Sequence, residues 1–165
     1  MQYCHHDSPL GPLLLAGDAS ALALIGLPGG KRPPQPSRDW HEDAQPFAPA
    51  RRQLDEFFAG KRERFDLDLM LDGTEFQQQV WLTLAHIPYG HTWSYGELAK
   101  RIGRPKAVRA VGLANGANPL PIVLPCHRVI GADGSLTGYG GGMPAKRLLL
   151  ELEGALPTAL QRALV

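Results

Sequence analysis

The stretch "SYGELAKRIGRPKAVRAVGLANG", Ser94 to Gly116, decides the fold. Ser94 followed three residues later by Glu97 makes the pairing of a capping box; Gly103 can close the helix so opened, and Pro105 carries the fixed φ suited to a first helical position. The spacing predicts two short helices joined by roughly two or three residues around Gly103 and Arg104, with the second ending at Asn115-Gly116. That is a helix-turn-helix. Lys100, Arg101, Arg104, Lys106 and Arg109 bring five cations and no anion into ten residues around the turn, a face suited to a phosphate backbone. Basic residues on a helix pair are also often merely solvated. The second helix is more specific: Ala110, Gly112, Ala114, Gly116 and Ala117 are small, and Arg109 stands nearly alone as a long side chain. Few groups there could read base edges, so the expected partner is double-stranded DNA held without sequence selection, through the minor groove, with Arg109 as a wedge.

Upstream, Thr74 and Gln77 form another capping pair, and Phe76, Val80 and Leu84 recur at helical spacing until Pro88 and Gly90. Before Gly73 the character differs. Met1 to His6, "LLLAGD" and "ALALIGL" read as a β-meander, and residues 28–49 hold six prolines, which makes a surface loop. A short helix is expected at about Ala50 to Ala59, burying Leu54, Phe57 and Phe58. Residues 64–71, "RFDLDLML", alternate Phe65, Leu67 and Leu69 with Arg64, Asp66 and Asp68, the period of a half-buried strand. The expected organisation is an α/β module over residues 1–72 and a mainly helical DNA-binding and catalytic module over 73–165.

Composition bounds the function. The chain has 165 residues, 44% of them hydrophobic, and a formal net charge of +1, so no global field announces a partner and any nucleic-acid claim rests on local clustering. No early apolar segment with a cleavage site and no long apolar run occurs, so a soluble cytoplasmic monomer with no membrane partner is expected. The two cysteines, Cys4 and Cys126, make no disulfide framework, and free thiols are expected. Cys4, His5 and His6 stand together but lack a second ligand pair at finger-like spacing, so no metal site is expected.

The chemistry gathers at "PIVLPCHRVIG", Pro121 to Gly131. Cys126 beside His127 can be a polar strand end, a metal pair or a nucleophile with its base. In an extended segment neighbouring side chains point to opposite faces, so a bridging water is the natural link between them. A free thiol is only a few per cent ionised at neutral pH, so a base must assist it.

Taken in order, "SYGELA", "RAVGLANGANPLPIVLPCHRVI", "GYGGG" and "LLLELEG" resemble the catalytic domain of the O6-alkylguanine-DNA alkyltransferases, the methylated-DNA–protein-cysteine methyltransferases. The match covers about residues 73 to 154, and the N-terminal part looks like that family's ribonuclease-H-like α/β domain beside a winged helix-turn-helix-like catalytic one. The resemblance implies irreversible, single-turnover transfer of an alkyl group from flipped O6-alkylguanine, or O4-alkylthymine, to Cys126, with no cofactor. It implies a Cys126–water–His127–Glu153 relay, Tyr95 as proton donor to the purine, and Asn118 as brace of the active-site turn. Backbone carbonyls of Cys126 and Val129 would take the exocyclic amine, and Tyr139 with Gly140 would wall the alkyl group. Ser94, Ala110, Gly112, Asn115 and Arg128 join the basic residues on the DNA-facing side. Gly140 stands where some relatives have serine, which leaves only backbone at that contact. Three other functions fit parts of the pattern: a non-catalytic lesion sensor, which Cys126 argues against; a helix-turn-helix regulator; and a cysteine hydrolase using Cys126, His127 and Glu153.

Overall fold

The computed structural model describes residues 1–18 and 21–156. The meander forms as read: β1 (Gln2–His6), β2 (Leu13–Asp18) and β3 (Ala21–Gly26) pair antiparallel in sequence order. The proline-rich stretch contributes a two-residue strand, β4 (His41–Glu42), parallel to β1, which gives the sheet order β3-β2-β1-β4. Helix α1 spans Ala48–Phe58 and buries Leu54 and Phe57, with Phe58 only half-buried.

Residues 64–71 correct the strand expectation. Their side chains alternate half-buried and exposed as the period demands, yet the segment joins the sheet through one bridge, Leu22 to Leu69. Leu22 N–H donates to the Asp68 carbonyl (2.8 Å) and Met70 N–H to the Leu22 carbonyl (2.8 Å). Elsewhere a side chain takes the partner strand's place: the buried Gln53 amide donates to the Asp66 carbonyl (2.9 Å) and accepts from the Asp66 N–H (2.8 Å). Alternation reports an amphipathic extended backbone, and Gln53 satisfies that backbone without a ladder.

The second module opens with α2 (Glu75–Leu84), whose capping box forms in full: Gln77 N–H donates to Thr74 Oγ1 (3.1 Å) and Thr74 N–H to Gln77 Oε1 (3.0 Å). Strand β5 (Trp93–Ser94) leads into α3 (Tyr95–Arg101), followed by α4 (Val108–Gly116), β6 (Val129–Ile130) and α5 (Met143–Leu152). Only half of the second box forms. Ser94 Oγ accepts from Glu97 N–H (3.1 Å), but the Glu97 carboxylate takes Arg101 Nε (3.0 Å) instead of turning back. Gly103, at φ +77°, closes α3 in a Schellman motif, with Arg104 N–H on the Ala99 carbonyl (2.9 Å) and Gly103 N–H on that of Lys100 (3.0 Å). Pro105 does not open α4. It occupies the second position of a turn closed by Ala107 N–H to the Arg104 carbonyl (2.9 Å), so the helix starts three residues later.

One apolar core runs through both modules, from Leu13, Leu15, Leu54 and Phe57 to Val80, Leu98, Val111 and Leu149. Trp81 Nε1 donates to the Ala114 carbonyl (2.7 Å) and ties α2 to α4, while Ile25 N–H donates to the Pro119 carbonyl (2.9 Å) and ties β3 to the segment before Cys126. The parallel pair β5–β6 joins the start of α3 to the residues just after the cysteine. Among the described residues no helix is long and apolar enough to cross a membrane.

Candidate active site

Pro119, Pro121 and Pro125 lack the N–H groups a sheet ladder needs, so the segment before Cys126 coils through turns instead of forming an active-site strand. Leu124 N–H returns to the Leu120 carbonyl (2.9 Å), and the buried Ile122 sits at φ +76°, a conformation β-branched residues rarely adopt. Asn118 holds this coil from inside: its Nδ2 donates to the Leu124 carbonyl (2.7 Å) and its Oδ1 accepts from Leu120 N–H (2.9 Å). Cys126–Arg128 then make one 3₁₀ turn. The opposed faces of an extended Cys-His pair are thereby replaced by a tight turn.

Cys126 is 5% exposed and lines a cavity of about 180 Å³ shared with Asn115, Asn118, Tyr139, Gly140 and, from the N-terminal module, Leu27 and Arg32. Burial pushes its thiol above the ordinary range; the Asn118 amide, the Tyr139 hydroxyl and the Lys146 ammonium act against that shift. Its neighbour His127 is fully buried, and burial holds the imidazole below its usual pKa despite the carboxylate beside it. A neutral ring with Nε2–H donated to Glu153 Oε2 (2.8 Å) leaves Nδ1 as a lone-pair acceptor, and Nδ1 is buried with no protein partner. That is the arrangement of a poised base.

Glu153 is not a solvated acid at a helix end. Burial alone would raise its carboxyl, but hydrogen bonds from His127 and Arg128 and their charges hold it at about 2. Arg128 grips it in a fork, Nε to Oε1 (2.8 Å) and Nη2 to Oε2 (2.9 Å), and spends Nη1 on the Ile87 carbonyl (2.7 Å). The expectation that Arg128 faces DNA is therefore corrected: its side chain is buried in the site, where it orients the carboxylate. Asn115 is likewise buried, in the cavity wall and away from the outer face of α4.

Sequence reasoning missed Lys146. Fully buried on α5, it donates Nζ to the Val129 carbonyl (2.7 Å) and to that of Thr137 (3.4 Å), and burial lowers its pKa to about 8. It is one of the charges that favour a Cys126 thiolate. The α5 burial pattern was its only trace in the sequence, because Lys146 and Leu149 share a helix face three residues apart.

The remaining residues divide by position. Tyr95, at the start of α3, bonds Thr137 Oγ1 through its hydroxyl (2.7 Å), linking the helix pair to the glycine loop; it does not line the cavity. A Cβ added at Gly112 would sit at ordinary contact distance, 3.7 Å, from the Tyr95 ring. Tyr139 has its hydroxyl sealed in against the Cys126 thiol, and Gly140 is exposed at the cavity's edge. Val129 is fully buried, and Ser94 is used as the α3 cap. Lys100, Arg104, Lys106, Arg109 and Ala110 are exposed, and none of these four cations makes an ion pair among the described residues; Arg101 is paired to Glu97 and stacks on Trp93. Val108 and Leu113 (72% exposed) extend the same outer face of α4, which is small and apolar apart from Arg109. Cys4 lies buried in β1 and His6 is held between Asp55 (2.7 Å) and Arg51 (3.2 Å), while His5 is exposed.

Comparison with known proteins agrees with this architecture. Residues 75–155 match the family model for the 6-O-methylguanine DNA methyltransferase DNA binding domain, and residues 1–71 match that for the same family's ribonuclease-like domain. A methylated-DNA–protein-cysteine methyltransferase of Methanosarcina acetivorans is 52% identical over 94% of this chain and 99% of its own. One from Mycobacterium bovis is 56% identical over 89% and 88%. The crystal structure of Mycobacterium tuberculosis OGT in complex with DNA superposes with a TM-score of 0.88 at 52% identity, covering 97% of this chain and 98% of that one. With both modules matched in order and a buried cysteine, histidine and glutamate gathered at one cavity, the chain belongs to the methylated-DNA–protein-cysteine methyltransferase family.

Proposed function

We propose that this protein repairs DNA by direct reversal, transferring the alkyl group of O6-alkylguanine or O4-alkylthymine to Cys126 once per molecule. The observation that carries this reading is the cavity itself: a buried thiol lines it, and the next residue is a neutral, carboxylate-anchored histidine whose Nδ1 is uncommitted. The exposed cations around the α3–α4 turn would meet phosphates, and the small outer face of α4 would enter the minor groove with Arg109 filling the hole left by the extruded nucleotide.

In the transfer the thiol proton passes through a bridging water to His127 Nδ1, and Glu153 stabilises the imidazolium that results. The sulfur lone pair forms a bond to the alkyl carbon as the carbon–O6 bond breaks, and the electron pair leaves with the purine. Tyr95 supplies a proton to that purine, which departs as ordinary guanine, and recovers one from the Cys126 proton now held at the site. For Tyr95 this requires the hydroxyl to exchange Thr137 for the base. Asn118 keeps the cysteine turn in place, while Tyr139 and Gly140 enclose the alkyl group. The thioether product offers water no leaving group, so the protein is spent. Residues 1–72 and 73–165 act as a supporting and a catalytic module, and residues 157–165 lie outside the described ones. A cytoplasmic monomer without cofactor suffices for this chemistry. The test is separation of binding from transfer: Cys126→Ser should bind methylated duplex about as tightly as the wild type and leave the methyl on the DNA. Methyl loss from DNA in that variant would contradict the proposal.

A further inference from the structure

The flipped guanine carries a 2-amino group whose hydrogen bonds in the duplex are lost on extrusion, and an amine taken unpaired into a dry cavity is costly. The family pattern gives that amine to the backbone carbonyls of Cys126 and Val129. Here each already accepts from the protein, so neither carbonyl has both lone pairs left for the amine. The Val129 carbonyl accepts from Lys146 Nζ at 2.7 Å, and the Cys126 carbonyl accepts from Val129 N–H and, at a long 3.5 Å, from Asn115 Nδ2. Directly beside that second carbonyl stands an acceptor with nothing to accept. Asn115 is 6% exposed, lines the cavity together with Cys126, and leaves Oδ1 buried without a partner. The other such polar atoms at this site are His127 Nδ1, which the transfer uses as its base, and the Tyr139 hydroxyl, which acts on the Cys126 thiol.

A buried amide oxygen lacking any donor is an unfavourable placement for a residue whose only task is to end a helix. Leucine or methionine would fill the same wall at lower cost. The unmet acceptor therefore points to a donor that arrives with the ligand. We infer that the Asn115 side chain reads the substrate base, Oδ1 accepting one N–H of the 2-amino group while the adjacent Cys126 carbonyl is within reach of the other. Asn115 is then a specificity residue inside the pocket and not a groove contact of α4. It selects purines that carry the 2-amino group. This inference rests on the alkyl-transfer reading above.

The test compares single-turnover transfer from duplexes bearing O6-methylguanine and O6-methylhypoxanthine, which differ only in the 2-amino group. Wild-type protein should favour O6-methylguanine by about tenfold, the scale of one net hydrogen bond in a buried site, and Asn115→Leu should remove most of that ratio. Should Asn115→Leu fail to fold, Asn115→Ala gives the same comparison with less added bulk. An unchanged ratio in a folded Asn115 variant overturns the inference, as does a wild-type protein indifferent to the 2-amino group. Absence of methyl transfer from either lesion is a different outcome: it removes the alkyltransferase reading itself, and this one with it.

Discussion

At the scale of single residues, the proposed chemistry separates a base from the group that aims it. His127 holds one nitrogen on Glu153 and keeps the other uncommitted, whereas Glu153 also neutralises the buried Arg128. Two variants should therefore behave differently. His127→Asn should slow transfer by about 10²–10⁴, the usual worth of a positioned base, with a smaller loss of stability, about 1–3 kcal/mol, for the buried hydrogen bond to Glu153. Glu153→Gln should slow transfer and also destabilise, because Arg128 is left as an uncompensated buried charge at a cost of about 3–5 kcal/mol, roughly a 6–20 °C fall in melting temperature. Melting curves beside single-turnover rates distinguish the two; equal melting temperatures would contradict the role given to Arg128. Acid acts on the two groups at different pH. Burial lowers the His127 pKa, so the neutral base persists below the ordinary histidine range and transfer should fall only as pH drops beneath about 6.5. Glu153 has its folded pKa depressed to about 2, so its stabilising contribution is full above the unfolded carboxylate value and is lost as pH falls from about 4.5 toward 2. Denaturant midpoints across that acid range should decline more steeply for the wild type than for Glu153→Gln.

At the scale of elements, the phosphate contacts proposed for the α3–α4 pair would show in the salt dependence of binding. Replacing Arg104 or Lys106 by Ala should reduce the slope of log Kd against log salt by about 0.9 each, whereas Arg101→Ala should reduce it less, since Arg101 already pairs with Glu97. Equal slopes for all three would contradict the assignment. Much of this layer was legible. The two helices, the Thr74 box and the basic turn follow from caps and charges near one another in the chain. What local signals could not reveal is whether an extended segment finds a partner strand. Residues 64–71 have the right period, but Gln53 takes the ladder's place, and no spacing rule announces that. Pro105 misled for a related reason: a fixed φ suits a turn's second position as well as a helix's first. Arg128 and Lys146 were misread or missed because the burial of a long cation is decided by carboxylates and carbonyls that reach it from elsewhere in the fold.

At the scale of the whole molecule, the two modules meet at the reactive cavity. Leu27 and Arg32 form part of its wall, and the backbones of Gly29 and Gly30 lie against those of Gly140, Gly141 and Gly142. A Cβ on Gly30 would run into the Gly140 carbonyl oxygen, and backbone cannot yield as a flexible side chain does. Gly30→Ala, a change in the proline-rich loop of the N-terminal module, should therefore displace the glycine loop and slow transfer at Cys126 by about tenfold or more, the scale of a small misplacement of reacting groups. Wild-type rates in that variant would show that the seam does not position the site. The N-terminal module is, on this account, part of the pocket as well as of the core.

In the proposed chemistry Cys126 takes carbon from DNA and keeps it. Intact-mass and peptide analysis after incubation with excess methylated duplex tests that directly. The account predicts one methyl per protein, located on Cys126, with demethylation of DNA stopping at one equivalent. An unmodified protein that goes on removing methyl groups, or a modified one whose adduct lies elsewhere, would contradict it.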